Sequence, residues 1–180
     1  MTTLAQLDKH ASSWFNNQMR RRGFAVEKKF CFWRKRGPLF DVFFGRTLTG
    51  GELLRVHITI WSPWIDHPDD GQLGEFPPLE IAIGGCVSEY FPTIMSNGDG
   101  FLIASDEDVE GSLKEILQLI DDKALPWLAG INSYDSYAAM VDKRSCMGSR
   151  ESKESLKLGI ARGFEREPYP IRLYTSPLLS

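Results

Sequence analysis

The chain has 180 residues, 42% hydrophobic and 25% charged, an ordinary globular balance that excludes disordered and fibrous classes. No apolar run approaches the roughly 18 residues of a membrane span and the N-terminus carries no signal-peptide core, so a cytoplasmic location with no membrane partner is expected. The net charge of -3 hides an asymmetry: residues 1–60 hold 11 Lys/Arg against 4 Asp/Glu, residues 61–125 hold 2 against 14, and residues 126–180 hold 8 against 6. A chain with such blocks steers charged partners toward one side if the blocks stay apart in space.

Residues 3–22 read as one amphipathic helix, because Leu4, Leu7, Ala11, Trp14, Phe15 and Met19 recur at spacings of three and four. Thr3 and Gln6 fit a capping box, and Gly23 fits the left-handed residue that ends a helix. Arg20, Arg21 and Arg22 then fall on the last turn, where cations complement the helix dipole.

Three strands follow. The first, about 24–33, places Phe24, Val26, Phe30 and Phe32 on one face; the second spans about 39–46 and the third about 53–61, with Leu54, Val56, Ile58 and Ile60 on one face. Gly37-Pro38 and Gly50-Gly51 supply the turns, and connections this short predict an antiparallel meander. After a long loop rich in Pro, Gly and Asp at 62–78, residues 79–83 form a short strand ended by Gly84 and Gly85. The run SNGDG at 96–100 marks a turn before the apolar residues 101–104, for about five strands in all.

Ser105 caps a second helix whose first turn carries Asp106, Glu107 and Asp108, with Leu113, Ile116, Leu117 and Ile120 as its buried stripe. Pro126 breaks that helix, and LPWLAGI forms a separate turn that anchors Trp127 and Leu128. A helix at 134–141 follows Ser133, residues 157–164 are helical, and the proline-rich end is extended. The expected architecture is α+β: an N-terminal helix, an antiparallel sheet and C-terminal helices packed on one face. Residues 1–142 make the domain and 143–180 a helical and extended extension.

No complete catalytic or cofactor motif is present. The chain lacks a P-loop, a nucleotide-binding glycine fingerprint and a nucleophile elbow, and no cofactor is expected. Cys31, Cys86 and Cys146 lie too far apart in sequence for a metal pair and read as ordinary thiols. His57-Ile58-Thr59 matches one half of the paired H-x-T signature of two-histidine phosphodiesterases, and the second half is missing. Asp66, His67, Asp69 and Asp70 are metal-ligating types gathered in one loop, but Pro68 divides them and no calcium-loop spacing is present, so a solvated acidic loop is expected. The eight basic residues between Arg20 and Arg36 are interleaved with Phe24, Phe30, Phe32 and Trp33, a pattern that suits single-stranded nucleic acid. Strand alternation turns those phenylalanines inward, however, and the overall pI of about 5.7 is acidic, so nucleic acid is disfavoured as a partner.

The Gly23-Phe24 pair that follows the first helix, the aromatic-basic strand FCFWRKR and the later Leu125-Pro126-Trp127-Leu128 turn resemble the bacterial domain-of-unknown-function 4304 family over about residues 3–142. The resemblance implies a helix followed by antiparallel strands and carries no catalytic residues. Acidic, motif-free domains of this size are also similar in type to the immunity proteins that occlude bacterial toxins. The expected function is therefore non-enzymatic protein binding, as an immunity or antitoxin-like protein, through Trp61, Trp64, Asp66, His67, Asp69 and Asp70. The alternative is a nucleic-acid module or a hydrolase that uses the open sheet face around Arg55 and His57.

Overall fold

The computed structural model describes residues 4–27, 30–48, 50–61, 83–86, 100–143 and 150–166. Two short helices, α1 (Leu4–Ser13) and α2 (Phe15–Arg21), open the chain. They replace the single helix expected at 3–22. Ser12 and Ser13 donate their hydroxyls to the carbonyls of Lys9 and His10, both at 2.7 Å, and Trp14 adopts φ -148° and ψ -38°. Hydroxyls that bond carbonyls one turn back compete with the helix ladder, and two in succession account for the break. The buried stripe survives it, since Leu7, Ala11, Phe15 and Met19 all face the core. Gly23 ends α2 at φ 82° as expected; the proposed cap at Thr3 lies outside the described residues.

The first expected strand is in fact a hairpin. β1 (Ala25–Glu27) pairs antiparallel with β2 (Cys31–Arg36), so Glu27 lies opposite Cys31. Phe30 enters β2 at φ 54°, a left-handed conformation rare for a bulky residue. Two long-range bonds hold it there: its N–H donates to Asp8 Oδ1 of α1 at 2.6 Å, and its carbonyl accepts from Gly45 N at 2.9 Å. Gly45 is required for that approach, because a Cβ at this position would sit 2.7 Å from the Phe30 ring and 2.9 Å from Leu54 Cδ1.

β3 (Leu39–Thr47) and β4 (Leu53–Trp61) match their expected bounds and form the longest ladder, with Phe43 opposite Ile58 and Arg46 opposite Arg55. β5 (Ile83–Cys86) pairs with residues 57–60 of β4. It runs through Gly84 and Gly85, which were expected to end a strand at 79–83; pairing to β4 overrides their weak strand preference, and residues 79–82 lie outside the described residues. A sixth strand, β6 (Phe101–Leu102), takes the same edge of β4 farther down, at Leu53 and Leu54. The sheet is thus an antiparallel meander in the order β1-β2-β3-β4-β5, with β6 added beside β4.

Ser105 caps helix α3 (Asp106–Leu119) as expected, and the cap is a full capping box: Ser105 Oγ accepts from Asp108 N at 3.2 Å, while Asp108 Oδ2 accepts from Ser105 N at 2.9 Å. Leu113, Ile116 and Ile120 are buried as predicted, together with Val109 and Leu119, and Leu117 is half-buried. Pro126 does not break the helical path. A π-helical turn, Ile120–Ala124, joins α3 directly to α4 (Leu125–Gly130), in whose first turn Pro126 sits. The missing N–H of proline costs nothing at a helix start, and the π-turn supplies one. Leu128 is buried, while Trp127 is only partly covered.

α5 (Tyr134–Lys143) begins with a reciprocal pair, Ser133 Oγ accepting from Ser136 N and Ser136 Oγ from Ser133 N. α6 (Arg150–Arg166) packs on α5 and sends Ile160 into the main core. All helices contribute to one hydrophobic cluster on one face of the sheet, where Phe15 lies 5.3 Å from Phe30 and 5.5 Å from Phe32, ring centre to ring centre. The fold is α+β. No described helix is long and apolar enough to cross a membrane.

Candidate functional site

Strand alternation divides the charged and aromatic residues of the sheet between two faces. On the helix-covered face, Asp41 of β3 is fully buried, and its Oδ2 accepts from Arg34 Nε at 2.8 Å and Arg36 Nε at 2.6 Å. Arg34 also lies over the Phe24 ring at 4.7 Å and donates to the Arg22 carbonyl, while Arg36 donates to the carbonyl of Ile131 between α4 and α5. Arg22 makes a two-pronged pair with both oxygens of Asp121 in the π-turn. Four members of the Arg20–Arg36 basic run are accordingly bound within the chain, counting Arg20, which donates to Asn17. These four side chains are held by the fold.

The opposite face carries a second apolar cluster of Ala25, Cys31, Trp33 and Val42, with Phe40 and Phe44 packed against it. Cys31 is buried there, and burial, with the charges of Glu27 and Asp8, pushes its thiol up to about 12, so it is an inert core thiol. Trp33 Nε1 donates to Glu27 Oε1 at 3.3 Å. The same face continues along β3 with Arg46 and along β4 with Arg55 and His57.

His57 is half-buried and stacks flat on Phe44, with ring centres 4.7 Å apart and planes 6° apart. Its Nε2 is buried and has no hydrogen-bond partner among the described residues. Burial is the main cause that lowers its pKa, followed by the charges of Arg55 and Arg46. An imidazole kept neutral in this way can accept a proton at neutral pH. Acid-base chemistry of the two-histidine kind needs a second histidine placed across the substrate, and the chain has a single H-x-T triplet. The face is half-closed at His57 and Arg55, and Val42 beside them is fully buried.

Of the residues expected to bind a partner, Trp61 ends β4 with its backbone opposite Phe40. Trp64, Asp66, His67, Asp69 and Asp70 lie outside the described residues. Arg55 and His57 are brought together on β4, with Arg46 and Phe44 added from β3. Those two were missed because their placement depends on the β3–β4 register, although alternation along β3 already puts them on one face. No group of three or more His, Cys, Asp or Glu that could hold a metal occurs among the described residues.

A separate feature lies at the helix break. A cavity of about 420 Å³ is lined by His10, Ser13, Trp14, Asp106, Glu107 and Glu110, above Leu113. His10 Nε2 sits 3.0 Å from Asp106 Oδ1 and ties α1 to the start of α3. The break at Trp14, unexpected from the periodicity, turns the indole to the wall of this acidic cleft. No protein-family model, curated protein or solved structure matches the chain.

Proposed function

We propose that this chain is a non-enzymatic protein-binding domain that docks its acidic surface on a basic face of a protein partner, in the manner of an immunity or antitoxin-like protein that occludes a bacterial toxin. The segregation of charge carries the reading. Arg22, Arg34 and Arg36 are spent on internal carboxylates, whereas Asp106, Glu107, Glu110, Glu115 and Asp122 on and after α3 are exposed. The acidic cleft beside half-buried Trp14 offers a seat for a lysine or arginine side chain, with carboxylates for its charge and an indole for its stem. The same acidic stretch of sequence, 61–125, includes Asp66, Asp69 and Asp70.

The test uses the purified product of the reading frame next to this gene as the candidate partner. Binding should weaken about tenfold or more in the Glu107→Gln, Glu110→Gln double variant, and should weaken as salt rises from about 0.05 to about 0.3 M, while circular dichroism shows the variant folded at the assay temperature. Protection of cells that co-express the partner's toxic activity would then follow the binding affinity. An affinity that neither salt nor the loss of these two charges alters would refute the acidic surface as the docking face.

A further inference from the structure

Among the described residues that line the acidic cleft between α1 and α3, one side chain can become positive: His10. Its Nε2 lies 3.0 Å from Asp106 Oδ1, on the wall of the 420 Å³ cavity that it shares with Ser13, Trp14, Glu107 and Glu110. The imidazole is 34% exposed and the carboxylate 91%, so both stay within reach of solvent and of a docked partner. The charges around His10 are few. From α3 they are Asp106, Glu107 and Glu110, the last also paired with Lys114 at 2.7 Å. In α1 itself Lys9 is exposed, and Asp8 is turned to the N–H of Phe30. α2 and β3 also pack on α1, and neither places a titratable side chain among the described residues of the lining.

We propose that His10 is a pH switch on the acidic docking surface: its imidazolium is an internal cation that competes with the lysine or arginine of the partner for the cleft, so that docking weakens as His10 gains its proton. The inference rests on the docking role proposed above for this surface. Imidazole is the side chain that changes charge near neutral pH. While His10 is neutral it serves Asp106 as a hydrogen-bond donor and leaves the carboxylates of the cleft uncancelled. Once protonated, it sets a positive charge beside the seat. The coupling is reciprocal, since protonation weakens seating of the cation by the same factor by which the seated cation weakens protonation. Charges roughly 6 Å apart at an effective dielectric constant of about 40 to 80 set that factor at about threefold to tenfold.

The experiment titrates the full chain with an acetylated and amidated pentalysine peptide at pH 7.5 and at pH 5.5, at constant ionic strength. Affinity is read by calorimetry, and the imidazole resonances of His10 are identified with a His10→Gln variant. The wild type should bind about threefold to tenfold more weakly at pH 5.5. His10→Gln keeps a donor for Asp106 and does not titrate, so it should bind equally at both. In the wild type saturated with peptide, the midpoint of the His10 titration should fall by about 0.5 to 1 pH unit, the same factor read from the other side and without a variant. Absence of saturable binding at pH 7.5 overturns the cleft as a seat for cations, and the switch with it. Three other results overturn the switch alone and leave the acidic surface standing: equal affinity at the two pH values, a pH dependence that His10→Gln retains, or a His10 midpoint that saturating peptide does not move.

Discussion

The two faces of one sheet treat the same residue type in opposite ways. On the helix-covered face, Arg34 and Arg36 converge on Asp41, and each has a second acceptor in a backbone carbonyl. On the other, Arg46 and Arg55 face each other across β3 and β4 with His57 alongside. Buried cations must be paired, because an uncompensated charge in the interior costs several kcal/mol. A half-exposed face tolerates two cations directly opposed across a ladder, at a cost of about 0.2 to 1 kcal/mol.

The largest test of this contrast is the removal of Asp41. Asp41→Ala strands two guanidinium groups, Arg36 at 4% and Arg34 at 14% side-chain exposure. The expected loss is about 3 to 5 kcal/mol of unfolding free energy in a urea titration. A loss below about 1 kcal/mol would mean that the pair is solvated like a surface bridge and that the two faces do not differ.

The converse substitution has the opposite sign. Arg46→Gln removes one of two facing cations, so stability should hold or rise, by about 0.2 to 1 kcal/mol at low ionic strength. The gain should shrink as salt is added, since screening already relieves the repulsion. Destabilisation by this variant would show that Arg46 is a structural residue.

Much of this arrangement is legible in the sequence where its cause is local. Period-two alternation gives β3 and β4 their bounds, Ser105 with three acids after it marks α3, and the inward turn of Phe24, Phe30 and Phe32 is read correctly from the apolar positions. What was missed has long-range causes. The β1–β2 hairpin lacks a glycine turn because Asp8, 22 residues earlier, holds Phe30 in its left-handed conformation. β5 passes through two glycines because β4 supplies its partner, and Pro126 is tolerated because a π-turn precedes it. The site follows the same rule. Arg55 and His57 share a strand and could be grouped from sequence, whereas Arg46 and Phe44 join them only through the register of β3 against β4.

The smallest expected effect separates the faces by pH. His57 has its pKa held below the ordinary 6.5, first by burial and then by Arg55 and Arg46, so the unfolded chain takes up a proton at a higher pH than the folded one. Above that ordinary value both states are neutral and the residue contributes no pH dependence. As pH falls through it the unfolded state gains the proton first, and stability declines until the folded imidazole is protonated as well. His57→Phe keeps a ring to stack on Phe44 and removes the titration. The stability difference between wild type and variant should therefore be flat from pH 8 to about 6.5 and turn against the wild type below it. Curves for the two proteins that stay parallel from pH 8 to 5 would show that the imidazole senses neither its burial nor its two arginines.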